Sequence, residues 1–116
     1  MDKKIIFGIL PNTESLESLL NNFEEVDFDT HDISVVMKNN REARIYIDDY
    51  GPLMGADIKN LNNLLIQHGI SSDDAIDYLE SIEKHAVLLA ISIDPVAQDV
   101  AVDMLKDYDV QDIIIV

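Results

Sequence analysis

The feature that most constrains the fold of this chain is a pattern that occurs twice: a short apolar run, an amphipathic stretch and a second apolar run. In the first half, the apolar runs span residues 4–10 and 33–37, and each has the length and β-branched content of a strand. Between them, apolar side chains recur at the spacing of one helix face: Leu16, Leu19, Leu20 and Phe23. The first half therefore predicts a strand, a helix and a strand, and either Asn12 or Thr13 is expected to cap the helix.

The second half repeats this plan. Residues 87–93 and 113–116 are apolar runs, and Asp94-Pro95 after the first run predicts a helix N-terminus with proline in the first helical position. The apolar stripe of this helix comprises Ala97, Val100, Ala101 and Met104. Two such units can pair into one sheet with both helices on one face. We therefore expect an α+β, ferredoxin-like fold with an antiparallel sheet.

The pattern divides a single domain, residues 1–116, into three segments. These are a first βαβ half at residues 4–38, an insert at 39–85 and a second βαβ half at 86–116. A length of 116 residues suits one domain with one ordinary core. The insert is too long for a simple connection, so we expect it to be structured.

Three elements are predicted inside the insert. Residues 43–47 alternate weakly between polar and apolar and could pair with the second strand as a hairpin. A helix is expected from Asp57 to Gln67, and Gly69 supplies its stop. Another helix is expected from Ser71 or Ser72 to about His85. Its stripe comprises Ala75, Ile76, Leu79 and Ile82.

The charge of the chain argues against some classes of partner. Eight Lys and Arg residues stand against 23 Asp and Glu residues, which gives a formal net charge of −15. This charge repels phosphate backbones and anionic lipid surfaces, so neither nucleic acid nor a membrane is an expected partner. The first apolar run is too short for a signal peptide or a membrane span, and the chain has no Cys. We therefore expect a cytoplasmic protein without disulfides or thiolate chemistry.

Stretches along nearly the whole chain share a pattern with one known family: Ile6-Phe7-Gly8, Asp32-Ile33-Ser34-Val35-Val36, Gly51-Pro52-Leu53, residues 65–70, Ser72-Asp73-Asp74-Ala75 with Tyr78, residues 87–91 and Asp112-Ile113. On these stretches the chain resembles the bacterial general stress proteins of the heat-induced, YflT type. The resemblance implies a stress-associated protein of undefined biochemistry. Family members often carry a long glycine-rich apolar segment before the helix matching residues 72–84. This chain has only Gly55-Ala56-Asp57 there, so no membrane role is expected.

Two features of the insert region could belong to a pocket, a pair of adjacent carboxylates and three tyrosines: Asp48, Asp49, Tyr46, Tyr50 and Tyr78. The carboxylate pair has no third ligand nearby in the sequence, so a turn is its simpler interpretation. Packing of the insert is the simpler interpretation of the tyrosines. The three histidines lie far apart and predict no metal site. No phosphate loop, dinucleotide-binding motif or nucleophile motif is present, so neither a cofactor nor a catalytic residue is predicted.

The leading interpretation is a non-catalytic module that binds itself, another protein or a small ligand, because fold-making residues occur throughout and no reactive set stands out. Two alternatives stay open. The first is an enzyme in which Asp48 or Asp49 meets a histidine in a closed pocket, since ferredoxin-like folds support many chemistries. The second is an acidic decoy for a nucleic-acid-binding protein, which the charge of −15 would allow.

The strands also predict what covers the sheet. In a two-layer fold, each strand alternates apolar with polar residues, but residues 5–10, 88–91 and 113–116 are apolar on both faces. An apolar face left in water would exceed the patch that a monomer usually exposes. We therefore expect the insert helices to cover part of the second face and a homodimer to bury the remaining strip.

Moderate salt is predicted to stabilise the fold at neutral pH. The 23 Asp and Glu side chains crowd a small surface, and dissolved ions screen their mutual repulsion, with a screening length of about 10 Å at 0.1 M. The melting temperature, followed by circular dichroism, should therefore rise from low to physiological salt. A melting temperature that stays flat or falls over this range would contradict the prediction.

Overall fold

A computed structural model of the chain describes residues 3–26, 28, 32–39, 44–47, 51–54 and 59–116, and of residues 39 and 44–47 the backbone alone. Over these ranges the protein is an α+β structure with one antiparallel sheet and four α-helices. The strands are β1 (Lys4–Leu10), β2 (Ile33–Asn39), β3 (Arg44–Ile47), β4 (Val87–Ile93) and β5 (Gln111–Ile115). The helices are α1 (Leu16–Glu25), α2 (Leu61–Gln67), α3 (Ser72–Glu83) and α4 (Gln98–Asp107), and a short 3₁₀ helix, Pro95–Ala97, leads into α4.

The described part of the sheet has five strands in the order β3-β2-β4-β1-β5, and every neighbouring pair is antiparallel. Its most extensive pairing joins β1 to β4, from Lys4 with Ile93 to Leu10 with Val87. β4 lies between β1 and β2, and β1 lies between β4 and β5, so each βαβ half is divided by a strand of the other. This arrangement is compatible with the expected ferredoxin-like fold. The predicted pairing of β3 with β2 as a hairpin is confirmed.

Helices α1 and α4 cover one face of the sheet, which we call the first face. Their buried side chains are Leu19 and Phe23 of α1 and Ala101 and Leu105 of α4. These pack in one cluster with alternate residues of the strands: Ile6, Leu10, Ile33, Val35, Val87, Leu89, Ile91 and Ile93. Both βαβ crossovers therefore place their helices on the same side, as the sequence predicted.

Helices α2 and α3 cover the opposite, second face. Their buried side chains pack in a separate cluster with the other set of strand residues: Phe7, Ile9, Val36, Leu88 and Ala90. The expectation that the insert helices cover the second face is confirmed for the described residues. The described apolar side chains of β1, β2 and β4 are buried or half-buried on both faces, so these three strands lie between two helical layers.

All four helices end with the same backbone hydrogen bond, in which an amide bonds to the carbonyl five residues earlier. The donor–acceptor pairs are Phe28 with Phe23 (2.9 Å), Ile70 with Leu65 (3.0 Å), Ala86 with Ser81 (3.0 Å) and Val110 with Leu105 (3.0 Å). At three of these ends the residue before the donor has a positive φ, namely Gly69 (100°), His85 (69°) and Asp109 (61°). This is the left-handed C-terminal cap, which favours glycine, and the stop predicted at Gly69 is confirmed.

The predicted helix starts are right for α3, right in part for α4 and wrong for α1. Ser71 caps α3, because its Oγ accepts a hydrogen bond from the amide of Asp74 at 3.2 Å. The predicted caps of α1 are wrong: Asn12 instead accepts a bond from the amide of Glu14 at 3.0 Å, and α1 begins only at Leu16. Asp94 and its proline start the 3₁₀ helix, so α4 begins later than expected. The predicted start of α2 at residue 57 lies outside the described residues.

Two residues of the predicted stripes are exposed. Ile76 on α3 has 49% of its surface exposed and Val100 on α4 has 52%. Tyr78 and Leu105 are fully buried on these helices instead. Each buried face is thus rotated from the predicted stripe, because the sheet and not the helix alone determines which side is covered.

Ser34 on β2 is the one polar side chain in the described core that is fully buried. Its Oγ accepts a hydrogen bond from the amide of Leu53 at 2.8 Å, which joins the turn at residues 51–54 to the sheet. On the other side of this turn, Nε2 of His68 lies 3.1 Å from the carbonyl oxygen of Pro52. The two contacts hold Leu53 in the second-face cluster.

Substitution Ser34→Ala should destabilise the protein by about 1–3 kcal/mol, because the buried amide of Leu53 loses this acceptor. Chemical denaturation followed by circular dichroism measures the change. Ser15→Ala is the matched control, since Ser15 makes no side-chain capping bond to α1 and should change stability little. Equal effects of the two substitutions would show that the bond to Leu53 contributes nothing.

Candidate functional site

Of the five candidate residues, one can be located by its side chain. Tyr46 lies in β3, where the backbone alone is described, and Asp48, Asp49 and Tyr50 lie outside the described residues. The hypothesis of a pocket or an Asp–His pair in this part of the insert stays a prediction. The described candidate is Tyr78, on α3.

Tyr78 joins α3 to the last strand of the sheet. Its hydroxyl donates a hydrogen bond to the backbone carbonyl of Asp112 at 2.6 Å. Its ring stacks on Phe7 of β1, with centroids 6.4 Å apart and planes inclined by 30°. The side chain is 1% exposed, so its main role in this structure is to pack and to fix β5.

The bond from Tyr78 is made where the pairing of β5 with β1 is irregular. Phe7 pairs with Ile114 and Ile9 pairs with Gln111, so Gly8 stands opposite two residues of β5. One of the two, Asp112, has a φ of 53°. This is a β-bulge, a device that often occurs at sheet edges and redirects the chain.

Gly8 is required opposite the bulge because β5 approaches it closely. A Cβ atom added at Gly8 would lie 2.6 Å from Cγ1 of Val110, a distance that carbon atoms do not reach without a shift of the chain. Val110 is itself buried in the first-face cluster, where it has little room to move. The glycine therefore permits the bulged strand to pack against β1.

The surroundings of Tyr78 keep its hydroxyl protonated. Burial raises the pKa of Tyr78 well above its ordinary value, and the nearby carboxylates of Asp112 and Asp74 raise it further. The neutral hydroxyl is the form that can donate a hydrogen bond to a carbonyl. The group therefore remains a donor over the whole physiological pH range.

Beside this contact lies an acidic groove between the start of α3 and the outer strand. We use this name for the cavity of about 180 Å³ lined by Asp74, Asp77, Tyr78, Asp112, Ile113 and Ile114. Three of these six residues are acidic and none is basic. The groove therefore combines acidic residues of α3 and β5 with apolar residues of β5.

The outer edge of β5, which we call the β5 edge, is the second part of this site. Ile5 and Val116 exchange two backbone hydrogen bonds, of 3.0 and 2.9 Å. Because successive residues of a strand point their polar groups to opposite sides, the N–H and C=O of Ile115 point away from β1. No described strand pairs with this side of β5, and Ile115 is 38% exposed.

A larger cavity, of about 510 Å³, lies between the start of α1 and the end of α4. Tyr108 stands beside it, where its hydroxyl accepts a hydrogen bond from the side-chain amide of Asn22 and lies 3.3 Å from the carbonyl of Ser18. The two fully buried lining residues, Leu10 and Val110, are apolar, and the polar lining residues are exposed or half-exposed. Among the described lining residues, none offers a buried polar side chain that could orient a ligand.

His68 and His85 follow the last residues of α2 and α3, His68 half-buried and His85 exposed. Among the residues that the structure describes, no three His, Asp or Glu side chains lie together in a way that could hold a metal ion. None of the described helices combines the length and apolar composition needed to cross a membrane.

Comparison with known proteins adds no assignment: no family model, no curated protein and no solved structure matches this chain. The resemblance to the general stress proteins stays a prediction based on the sequence stretches given above. The site must therefore be interpreted from its own geometry.

Sequence reasoning missed the β5 edge and the acidic groove. It did find that residues 113–116 are apolar on both faces, but it attributed this to an uncovered sheet face. Asp74 and Asp112 lie in the stretches that resemble the general stress proteins, and neither was assigned a binding role. One sequence signal could have indicated the β5 edge. Natural edge strands commonly contain Lys or Pro, whereas this strand is rich in β-branched residues and has neither.

Substitution Tyr78→Phe should lower the free energy of unfolding by about 1–2 kcal/mol at neutral pH, because the carbonyl of Asp112 loses its donor. Urea denaturation measures the loss, and Tyr108→Phe, with its half-exposed hydroxyl, is the milder control.

The difference in free energy of unfolding between wild type and Tyr78→Phe should become smaller at high pH. The folded-state pKa of Tyr78 is raised, so above about pH 10 the unfolded chain releases the tyrosine proton while the folded protein keeps it. Wild type loses stability from this group as the pH rises, and Tyr78→Phe has no such loss. A stability gap that stays constant or widens above pH 10 would contradict the assigned direction of the shift.

Proposed function

We propose that this protein is a non-catalytic binding module whose contact surface is the β5 edge. The observation that carries the proposal is that no described strand pairs with the outer side of β5, which lies at the edge of the sheet, while helices cover both faces of its neighbours β1 and β4. Backbone groups that point outward from such a strand can pair with an extended segment of another chain. The module thereby extends its sheet by one strand.

The composition of β5 favours this use. Natural edge strands are commonly protected by Lys, by Pro or by a bulge. β5 has its bulge at Asp112, but beyond it come three isoleucines and no Lys or Pro. The bulge therefore limits pairing at the start of the strand, and the part around Ile115 remains open for it.

The fold identity and the family are part of the proposal. The strand order β2-β4-β1-β5 places one strand of each βαβ half between the two strands of the other half. This order supports a ferredoxin-like fold, with β3 added at the edge next to β2. The resemblance of the sequence to the general stress proteins supports a stress-associated role. The absence of Cys in the chain agrees with the cytoplasmic location expected from the sequence.

A homodimer is the second candidate, and the same edge would serve it. Helices α2 and α3 cover the second face, where the dimer was expected. Two copies could instead pair their β5 edges antiparallel about a two-fold axis, because such a strand is complementary to itself. The charge of −15 on each copy opposes this association.

The proposal is tested by selecting a displayed library of random heptapeptides on the purified wild-type protein. Enriched peptides should lose about tenfold or more in affinity on Ile115→Pro, because proline removes the outward N–H and obstructs an added strand. Ile115→Ala is the matched control: it removes a similar side chain but keeps the N–H, and it should retain most of the affinity. Circular dichroism verifies that both variants are folded.

Peptides that bind wild type and Ile115→Pro equally well would place the contact elsewhere and contradict the proposal. A library that yields no binding peptide would also contradict the proposal.

A further inference from the structure

We propose that the β5 edge accepts an extended segment of a partner protein that carries lysine or arginine on the side facing α3. This inference rests on the proposed function and adds the chemistry of the partner. It combines the unpaired edge with the charge of the groove beside it.

The geometry of strand addition determines which partner side chains reach the groove. Ile114 packs against the second-face cluster, so its side of the sheet faces the layer of α2 and α3. Ile115 pairs with Ile6, a residue of the first-face cluster, and lies on the other side. A strand added to β5 would therefore place every second side chain on the α3 side, next to the acidic groove.

The groove is suited to a cationic side chain on a long apolar stem. Ile114 supplies apolar surface on the α3 side. Asp74, Asp77 and Asp112 also line the groove, and none of its described lining residues is basic. A lysine or arginine can lay its stem along apolar residues while its charged end stays near carboxylates and water. The charge of −15 on the whole chain also attracts a basic partner from a distance and speeds its association.

A second copy of this chain fits the edge less well. Residues 111–116 contain no Lys or Arg, so a copy paired through its own β5 would bring no cation to the groove. It would add Asp112 and a further charge of −15 instead. A nucleic acid is disfavoured for the same electrostatic reason. The charge therefore favours a basic segment over either alternative.

Three synthetic heptapeptides test the inference: alternating valine and lysine, alternating valine and glutamine, and alternating valine and glutamate. Isothermal titration at low salt should give the lysine peptide about tenfold higher affinity than the glutamine peptide, since three partly exposed ion pairs sum to roughly that factor. The glutamate peptide should bind weakest. Added salt should reduce the advantage of lysine. Amide shifts in nuclear magnetic resonance spectra should be largest at residues 113–115.

Matched variants locate the charge effect. The double substitution Asp74→Asn with Asp77→Asn should remove most of the affinity advantage of the lysine peptide over the glutamine peptide, because Asp112 is then the one acidic residue left among the described lining residues. Asp99→Asn with Asp103→Asn on α4 is the control, because it removes the same two charges from a helix on the other face. It should leave most of the lysine preference in place.

The outcomes separate the two proposals. One outcome is that wild type binds the lysine and glutamine peptides with equal affinity and that Ile115→Pro binds neither. This outcome would overturn the preference for a cationic partner but would support binding at the β5 edge. The same holds if library peptides bind the edge without an excess of basic residues at alternate positions. Failure of the synthetic peptides and the library to bind would overturn both proposals. A wild-type dimer in sedimentation that Ile115→Pro dissociates would make a second copy the occupant and overturn the basic partner.

Discussion

Strands β1 and β4 are apolar on both faces, and this constraint governs how the rest of the chain is used. A strand of this kind needs a layer of side chains above and below it, because each exposed apolar face would cost roughly 25 cal/mol per Å². The two crossover helices supply one layer and the insert helices supply the other. Once both faces are covered, only the edge strands of the sheet still have backbone groups that can form hydrogen bonds with another chain.

The link between Tyr78 and Asp112 connects the insert to the edge strand β5. β5 pairs with β1, and its Ile113 packs against the first-face cluster. The hydroxyl of Tyr78 holds the bulged part of β5 from the second face. On β1, Gly8 leaves room for the side chain of Val110, the residue before β5. The shape of the proposed binding edge therefore depends on residues from all three segments of the chain.

Local patterns predicted much of this fold, and the failures have identifiable causes. The bounds of β1 and β4 and the start of α3 at Ser71 or Ser72 follow from neighbouring residues, and these predictions are confirmed. The start of α1 was missed because several polar residues before it can cap or form turns. The exposure of Ile76 and the burial of Tyr78 depend on where the sheet lies, which a single helix does not encode. The bulge at Asp112 depends on a contact across strands.

The pairing of β1 with β4 has a consequence for the newly made chain. The two strands are about 80 residues apart in sequence, and contacts between such distant parts of a chain slow its folding. At a synthesis rate of about 5–20 residues per second, β1 leaves the ribosome several seconds before its partner exists. During that interval its apolar run has no sheet to join. A strand that is apolar on both faces and still without its partner is the kind of surface through which unfinished chains aggregate.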